Sequence, residues 1–357
     1  MRVYDGTSRL LAEASPKSVS TSVGPLASGQ ALQGTVLTIG NFDGVHLGHR
    51  ELIRRTLDLA QQKRAESAVL TFEPHPLMAL RPELGLKRLY DPEDRREQMQ
   101  AMGVDLLVVE PFSREFSQLA PDRFFAEIIV RAFSPRALVV GYDFSFGANR
   151  SGGTDFLRER CAAAGIEFEV VPPVHVGAGV VSSTRIRQAL SEGEAEAARA
   201  MLGRPYSLRG RVKKGAGRGR SIGIPTANLD LTVECPLRRG VYVAWAKLRG
   251  RREAALVNIG RNPTFNDGSA LHVEAHLPEF SPETSEQGSV KASASSVSVK
   301  ASDPRAQDLY GEILQLEFIA RLRDEEKFSG VEALVDQIRL DIREGLQRLR
   351  QEGGAGR

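Results

Sequence analysis

Gly40-Asn41-Phe42-Asp43-Gly44-Val45-His46-Leu47-Gly48-His49 places two imidazoles three residues apart. At that spacing both rings can face one ligand across a helical turn. Gly48, between them, allows a phosphate to approach the backbone. The start of a helix adds unpaired N–H groups and a partial positive charge, which suit a phosphate. Nucleotidyl transfer needs no protein nucleophile. It needs charge stabilisation at the α-phosphate and an attacking oxygen held in line. Two hydrogen-bond-donating imidazoles can supply the first. Further along, Ser182-Ser183-Thr184-Arg185-Ile186-Arg187 offers hydroxyls to cap a helix and bind phosphate, and arginines to pair with a triphosphate.

A second set of groups begins at Gly210. The stretch to Gly223, which includes Gly215 and Arg220, is rich in glycine and arginine, and a loop of that kind can wrap phosphates with backbone N–H groups. It contains no GxxxxGK[ST] pattern, and such basic turns are often simply solvated. Pro225-Thr226-Ala227-Asn228 gives it meaning. The Thr226 hydroxyl and the Asn228 carbonyl are hard, neutral oxygen donors suited to Mg²⁺ shared with phosphates. Two residues apart on an extended chain, they face the same side. Phosphoryl transfer to an alcohol also needs a base, and Glu274 in Val-Glu-Ala-His-Leu is the candidate. By itself it also fits a solvent-facing strand carboxylate.

The elements that must position these groups follow two grammars. From Thr35 to Phe168, short apolar runs (Thr35–Ile39, Ala68–Phe72, Leu106–Val109, Leu138–Val140) alternate with helical stretches at about Leu47–Lys63, from Asp91 to Gly103, Phe124–Phe133 and Asp155–Ala164. That alternation predicts a parallel sheet covered on both faces, with ligands at the carboxyl ends of its strands. After Leu202, strands follow one another: Val241–Leu248 and Glu253–Ile259 as a hairpin, then Leu271–Leu277 and Ile313–Ala320. They predict an antiparallel barrel or sandwich closed by a helix from Ser329 to about Arg350. The expected division is a strand (Met1 to Tyr4) and flexible segment over 1–34, domains over 35–202 and 203–350, a disordered Ser-rich insertion at 281–307, and a disordered tail at 351–357.

The whole chain has 357 residues and a formal net charge of +3, with 48 basic residues against 45 acidic ones. That balance gives no nucleic-acid footprint. The two cysteines, Cys161 and Cys235, form no CxxC pair, which argues against a zinc or redox motif and for a reducing cytoplasm. No apolar run is long enough to span a membrane, and the N-terminus does not read as a secretory signal.

The Gly40–His49 segment resembles the HxGH nucleotidyltransferases. Together with Thr71-Phe72-Glu73-Pro74-His75-Pro76, Gly141-Tyr142-Asp143-Phe144-Ser145-Phe146-Gly147 and Ser182–Arg187, it resembles the bacterial bifunctional riboflavin kinases/FAD synthetases. The PTAN segment, Asn258–Phe265, Val273–Leu277, Asp308–Glu312 and Phe318–Phe328 extend the resemblance over about residues 35–350. It implies an α/β chain: a Rossmann-like nucleotidyltransferase domain, then an antiparallel β-barrel riboflavin kinase domain with a closing helix. The implied activities are phosphorylation of riboflavin to FMN and adenylylation of FMN to FAD, with ATP and Mg²⁺. His46 and His49 would act on ATP, which Gly40, Asn41, Phe42, Asp43, Gly48, Ser183, Thr184 and Arg187 would bind. Gly215, Arg220 and Gly223 would hold phosphate in the kinase, Thr226 and Asn228 the metal, and Glu274 would be the base. Asp143, Phe144, Arg323 and Phe328 would lie by the flavin. The implied partners are small molecules only, with no nucleic acid or membrane, and a monomer is favoured.

The Ser-rich insertion departs from the family's short turn and follows Phe280, six residues beyond Glu274. It leaves open a chain with FAD synthetase activity alone, or a flavin-sensing regulator without catalysis. Ile224, where a Phe is usual, is a smaller departure.

Overall fold

The apolar runs of the first half form one parallel sheet. Its strands are β1 (Arg2–Asp5), β2 (Thr35–Ile39), β3 (Glu66–Glu73), β4 (Leu106–Pro111), β5 (Pro135–Gly141) and β6 (Glu167–Val171). They lie in the order β1-β4-β3-β2-β5-β6, and every adjacent pair is parallel. The computed structural model describes residues 1–14, 34–215, 219, 222–260, 271–278 and 309–354.

Both faces of the sheet are covered, as continuous apolar strands require. Successive residues of a strand point to opposite faces. Leu37, Leu70, Val108 and Leu138 therefore pack with Phe124, Phe125 and Ile129 from the segment Phe124–Arg131, which is wound as a π-helix, and with Leu157 and Cys161. Val36, Val69, Leu107 and Val139 pack on the other side with Leu52, Ile53, Leu59 and Met99. Each fully buried aliphatic side chain contributes about 1.5–3 kcal/mol. Three of the helices are α1 (Thr7–Ala14), α2 (Leu47–Lys63) and α3 (Pro92–Ala101). Asp91 caps α3, its carboxylate accepting from the Asp94 N–H at 2.7 Å, and Pro92 takes the first position. Helix α4 (Thr154–Ala164) leads to β6, and β7 (His175–Val176) and β8 (Gly179–Val180) make a small hairpin.

Two helices, α5 (Ser183–Glu192) and α6 (Ala195–Leu202), precede the second set of strands. These are β9 (Tyr206–Lys213), β10 (Ala227–Leu231), β11 (Gly240–Leu248), β12 (Arg251–Gly260), β13 (His272–His276) and β14 (Ile313–Arg323). They close into an antiparallel barrel. The β11–β12 hairpin turns on Arg249 (φ 49°) and Gly250 (φ 75°), two left-handed residues matched to the strand twist. Tyr206, Leu208, Tyr242, Val257 and Phe318 fill the interior. Helix α7 (Val331–Gly354) packs Leu346 and Leu349 on Val243, Ala254, Ile319 and Ala320. It is fastened by Arg323, which donates to both oxygens of the buried Asp341 carboxylate, Nε to Oδ1 at 3.0 Å and Nη2 to Oδ2 at 2.8 Å.

The chain divides into two units: Met1–Leu86 with Asp91–Ser183, and Lys87–Tyr90 with Thr184–Arg357. Helix α5 from Thr184 and helix α6 thus group with the barrel, whereas the sequence put them in the first domain. Helix α1 follows β1 directly, where loosely ordered chain was expected. Helix α7 continues to Gly354, past Arg350 and into the segment expected as a disordered tail. Most of the 1–34 segment called flexible and the insertion 281–307 lie outside the described residues.

Candidate active sites

In the first unit the strand order reverses between β2 and β5. Ligands of open α/β sheets bind at the carboxyl ends of strands at such a point. The Gly40–His49 turn leaves β2 there and Gly141–Gly147 leaves β5. The turn is tight. Phe42 (φ 50°), Gly44 (φ 91°) and Val45 (φ 37°) are all left-handed. For the two residues with side chains this costs on the order of 1–3 kcal/mol each, so neighbours must enforce it. Phe42 and Val45 are buried and wedge the turn into the sheet. The Asn41 carbonyl accepts from Thr71 Oγ1 at 3.2 Å and from Arg95 Nη1 at 3.2 Å. Ser183 Oγ donates to the carbonyl of the buried Asp43 at 2.8 Å.

His46 is the N-cap of α2: its Nδ1 accepts from the His49 N–H at 3.3 Å. A neutral His46 ring that accepts at Nδ1 carries its proton on Nε2, a donor suited to a phosphate oxygen. The two rings are stacked, with centroids 3.6 Å apart and planes at 15°. Gly48 makes room for the stack, since a Cβ there would lie 3.2 Å from His46 Cε1. At Gly40 a Cβ would press on the Phe42 ring at 3.2 Å. In the loop after β5, Asp143 is exposed. Phe144 is half-buried and stacks on Phe146, with centroids 5.6 Å apart. His75 caps the short helix Pro76–Leu80, a local structural role.

Thr184 and Arg187 belong to the second unit. Thr184 is exposed, and Arg187 Nε donates to the Lys87 carbonyl at 2.6 Å.

In the barrel, register assembles the site. Asn228 on β10 is the direct partner of Glu274 on β13, and Glu274 is the direct partner of Asn258 on β12. Direct partners hold their Cβ atoms about 4.5–5.5 Å apart on one face. Their strand neighbours Ala227, Leu229, Val273, Ala275, Val257 and Ile259 are all buried in the interior. The three polar residues therefore form a row on the outer wall. Gly215 lies against this row: a Cβ there would fall 2.2 Å from Asn228 Nδ2. A Cβ at Gly219 would fall 3.4 Å from Thr226 Oγ1 and 2.3 Å from the Ile224 carbonyl. Thr226 and Asn228 thus sit under backbone that only glycine permits, a cradle that fits a magnesium ion shared with phosphates. Gly223 makes a left-handed turn (φ 75°) just before them. His276 Nδ1 and the Pro225 carbonyl are 2.9 Å apart, and burial pushes the imidazole below its ordinary value. Arg323, besides its pair with Asp341, lies 5.7 Å from the centre of the Phe328 ring. Arg220 lies outside the described residues. Among those residues no cluster of three or more His, Cys, Asp or Glu converges as a metal cage.

Sequence reasoning missed Arg95, Thr71, His276 and Asn258 as partners of these groups. Only Arg95 left a local trace. It is four residues from the fully buried Met99, and so on the buried face of α3.

The cysteine thiols take no part in either site. Burial pushes Cys161 up to about 11 and Cys235 up to about 12.

A parallel sheet with an HxGH turn at its switch point, followed by an antiparallel barrel with a PTAN segment, defines a class of two-unit nucleotide-using transferases. Comparison with known proteins agrees. The FAD synthetase family matches residues 28–185 and the riboflavin kinase family matches residues 202–349. A bifunctional riboflavin kinase/FMN adenylyltransferase of Listeria monocytogenes is 34% identical over 86% of this chain and 90% of its own. One from Escherichia coli K12 is 31% identical over 87% and 91%. A crystal structure from Streptococcus pneumoniae described as a macrolide-efflux protein superposes with a TM-score of 0.73, at 32% identity over 87% of this chain and 93% of that one. Among the described residues of this chain no helix is long and apolar enough to cross a membrane. The chain belongs to the bifunctional riboflavin kinase/FMN adenylyltransferase family.

Proposed function

We propose that the barrel unit phosphorylates riboflavin to FMN and that the unit with the parallel sheet adenylylates FMN to FAD, each with ATP. The observation that carries this reading is the pairing of two built sites in one chain. One is the stacked His46–His49 turn at the switch point, and the other is the Asn228–Glu274 row under Gly215.

In the kinase step Glu274 takes the proton of the riboflavin 5′-hydroxyl. The hydroxyl oxygen attacks the γ-phosphorus of ATP, and the bond to the bridging oxygen breaks to release ADP. Thr226 and Asn228 would hold a magnesium ion, which neutralises charge on the phosphates. Gly215, Gly223 and Arg220 cradle those phosphates. Arg323 and Phe328 border the flavin. In the second step a phosphate oxygen of FMN attacks the α-phosphorus of ATP and pyrophosphate leaves. His46 and His49 donate to the oxygens on which charge builds. Asn41 and Ser183 bind the nucleotide, and Asp143 and Phe144 border the flavin. We place the enzyme in the cytoplasm, as a monomer acting on small molecules.

The test is a time course with riboflavin, ATP and Mg²⁺, the flavins being separated by chromatography. FMN first and FAD second supports both activities. Untouched riboflavin with conversion of added FMN to FAD removes the kinase half of the reading. Flavin binding without either product favours a sensing role.

A further inference from the structure

Arg95 lies on α3, a helix that carries none of the groups assigned above, yet its guanidinium reaches the carboxyl ends of two strands. The residue is 9% exposed. Nη1 donates to the Asn41 carbonyl at 3.2 Å and to the Phe72 carbonyl at 3.4 Å, and Nη2 donates to Glu73 Oε2 at 3.3 Å. Asn41 opens the left-handed turn that ends at His46, and Phe72 and Glu73 end the neighbouring strand β3.

We infer that Arg95 is a positioning residue for adenylyl transfer, holding the Asn41 carbonyl and through it the turn that sets the His46–His49 stack; this rests on the adenylyltransferase reading of the first unit. Three points carry it. A packing role at this position is met more cheaply by an apolar side chain, because a buried cation loses its hydration. A planar fork suits several fixed acceptors, and Arg95 uses it on two carbonyls and a carboxylate. The turn it grips has three of four successive residues at positive φ, Phe42, Gly44 and Val45, and such a turn keeps its shape only where its surroundings over-determine it. Thr71 Oγ1 is the second donor to the same Asn41 oxygen. Arg95 and Thr71 therefore act on one atom.

The test uses the full chain and steady-state conversion of FMN and ATP to FAD by wild type, Arg95→Met, Thr71→Val, the double variant and Arg95→Lys. Riboflavin phosphorylation by the same preparations reports that the chain is folded. Arg95→Met is expected to lower kcat about 10²-fold, the scale of a displaced reacting group, with KM for ATP and FMN nearly unchanged. Thr71→Val should cost less. The double variant should depart from the product of the two single losses, because both changes act on the same carbonyl. Arg95→Lys should recover part of the loss. An unchanged kcat in Arg95→Met, losses that multiply in the double variant, or an equal fall in riboflavin phosphorylation overturns the inference. A wild type that makes no FAD from FMN overturns the underlying reading instead.

Discussion

The two units build their sites in opposite ways. The parallel-sheet unit puts its histidines on one contiguous turn, and that turn is strained: Phe42 and Val45 are held at positive φ by buried packing and by donors from β3, α3 and Ser183. The barrel puts Asn228, Glu274 and Asn258 on three strands in relaxed, regular register. The first site depends on its supports. The second depends on pairing, since a slip of one residue would turn Glu274 inward and Val273 or Ala275 outward. A local turn stores conformational energy beside the chemistry, whereas a strand face spends none but draws its groups from distant parts of the chain.

The strongest test of this division is a reciprocal pair of substitutions. His46→Ala removes a proposed donor to the transferring phosphate and should lower FAD formation from FMN about 10²–10³-fold. FMN formation from riboflavin should persist. Glu274→Gln removes the proposed base and should lower FMN formation about 10²–10⁴-fold while FAD formation from added FMN persists. Each product is followed by chromatography with its own substrate. If either substitution abolishes both products, the sites are not separable in the way the two architectures describe.

The same contrast explains what could be read from sequence. Helix α2 spans Leu47–Lys63, as its periodicity predicts, and the histidine turn was legible because strand, turn and helix are consecutive. The alternating grammar gave the parallel sheet; the all-strand grammar gave an antiparallel barrel or sandwich, of which the chain forms the barrel. Thr226 and Asn228 were legible as a spacing of two. That Glu274 pairs with both Asn228 and Asn258 was not, because register between strands 46 and 16 residues apart leaves no local mark. Arg95 was overlooked beside Arg96, although only Arg95 is on the buried side of α3. Helix α1 was missed because eight residues beside a Ser-rich stretch give a weak periodic signal. Helices α5 and α6 each bury one apolar face, Ile186, Ala189 and Leu190 in one and Ala198, Met201 and Leu202 in the other. Such a stripe reads the same whichever core it covers, so the sequence alone does not say which unit these helices pack with.

A smaller effect sharpens the account of the barrel. Gly215→Ala would place a methyl group 2.2 Å from Asn228 Nδ2 and 2.6 Å from its Cγ, so the amide must move. Backbone strain is not the issue, because Gly215 is not among the residues at positive φ. Displacing one oxygen donor from the row should lower riboflavin phosphorylation about 10-fold. Adenylylation of FMN should be unaffected. Unchanged phosphorylation would mean that the Asn228 side chain can shift without consequence, and the cradle would lose its role.

The smallest effect concerns stability of the wall that holds the row. His276 is kept neutral by burial while its Nδ1 hydrogen meets the Pro225 carbonyl, and its folded value lies below the ordinary one near 6.5. On acidification the unfolded chain takes up this proton first, so the unfolded state binds more protons than the folded state. Stability therefore rises with pH across this window. The contribution is intact above about pH 6.5 and is lost progressively as pH falls from there toward the folded value. His276→Gln removes the titrating group and can still donate an amide N–H to Pro225. Denaturant unfolding of the two proteins at neutral and mildly acidic pH should show wild type losing more stability than the variant. Equal losses would mean that His276 titrates alike in the folded and unfolded chains. The hydrogen bond to Pro225 would then be open to solvent, and the register-built site would lack the dry backing that keeps Thr226 in place.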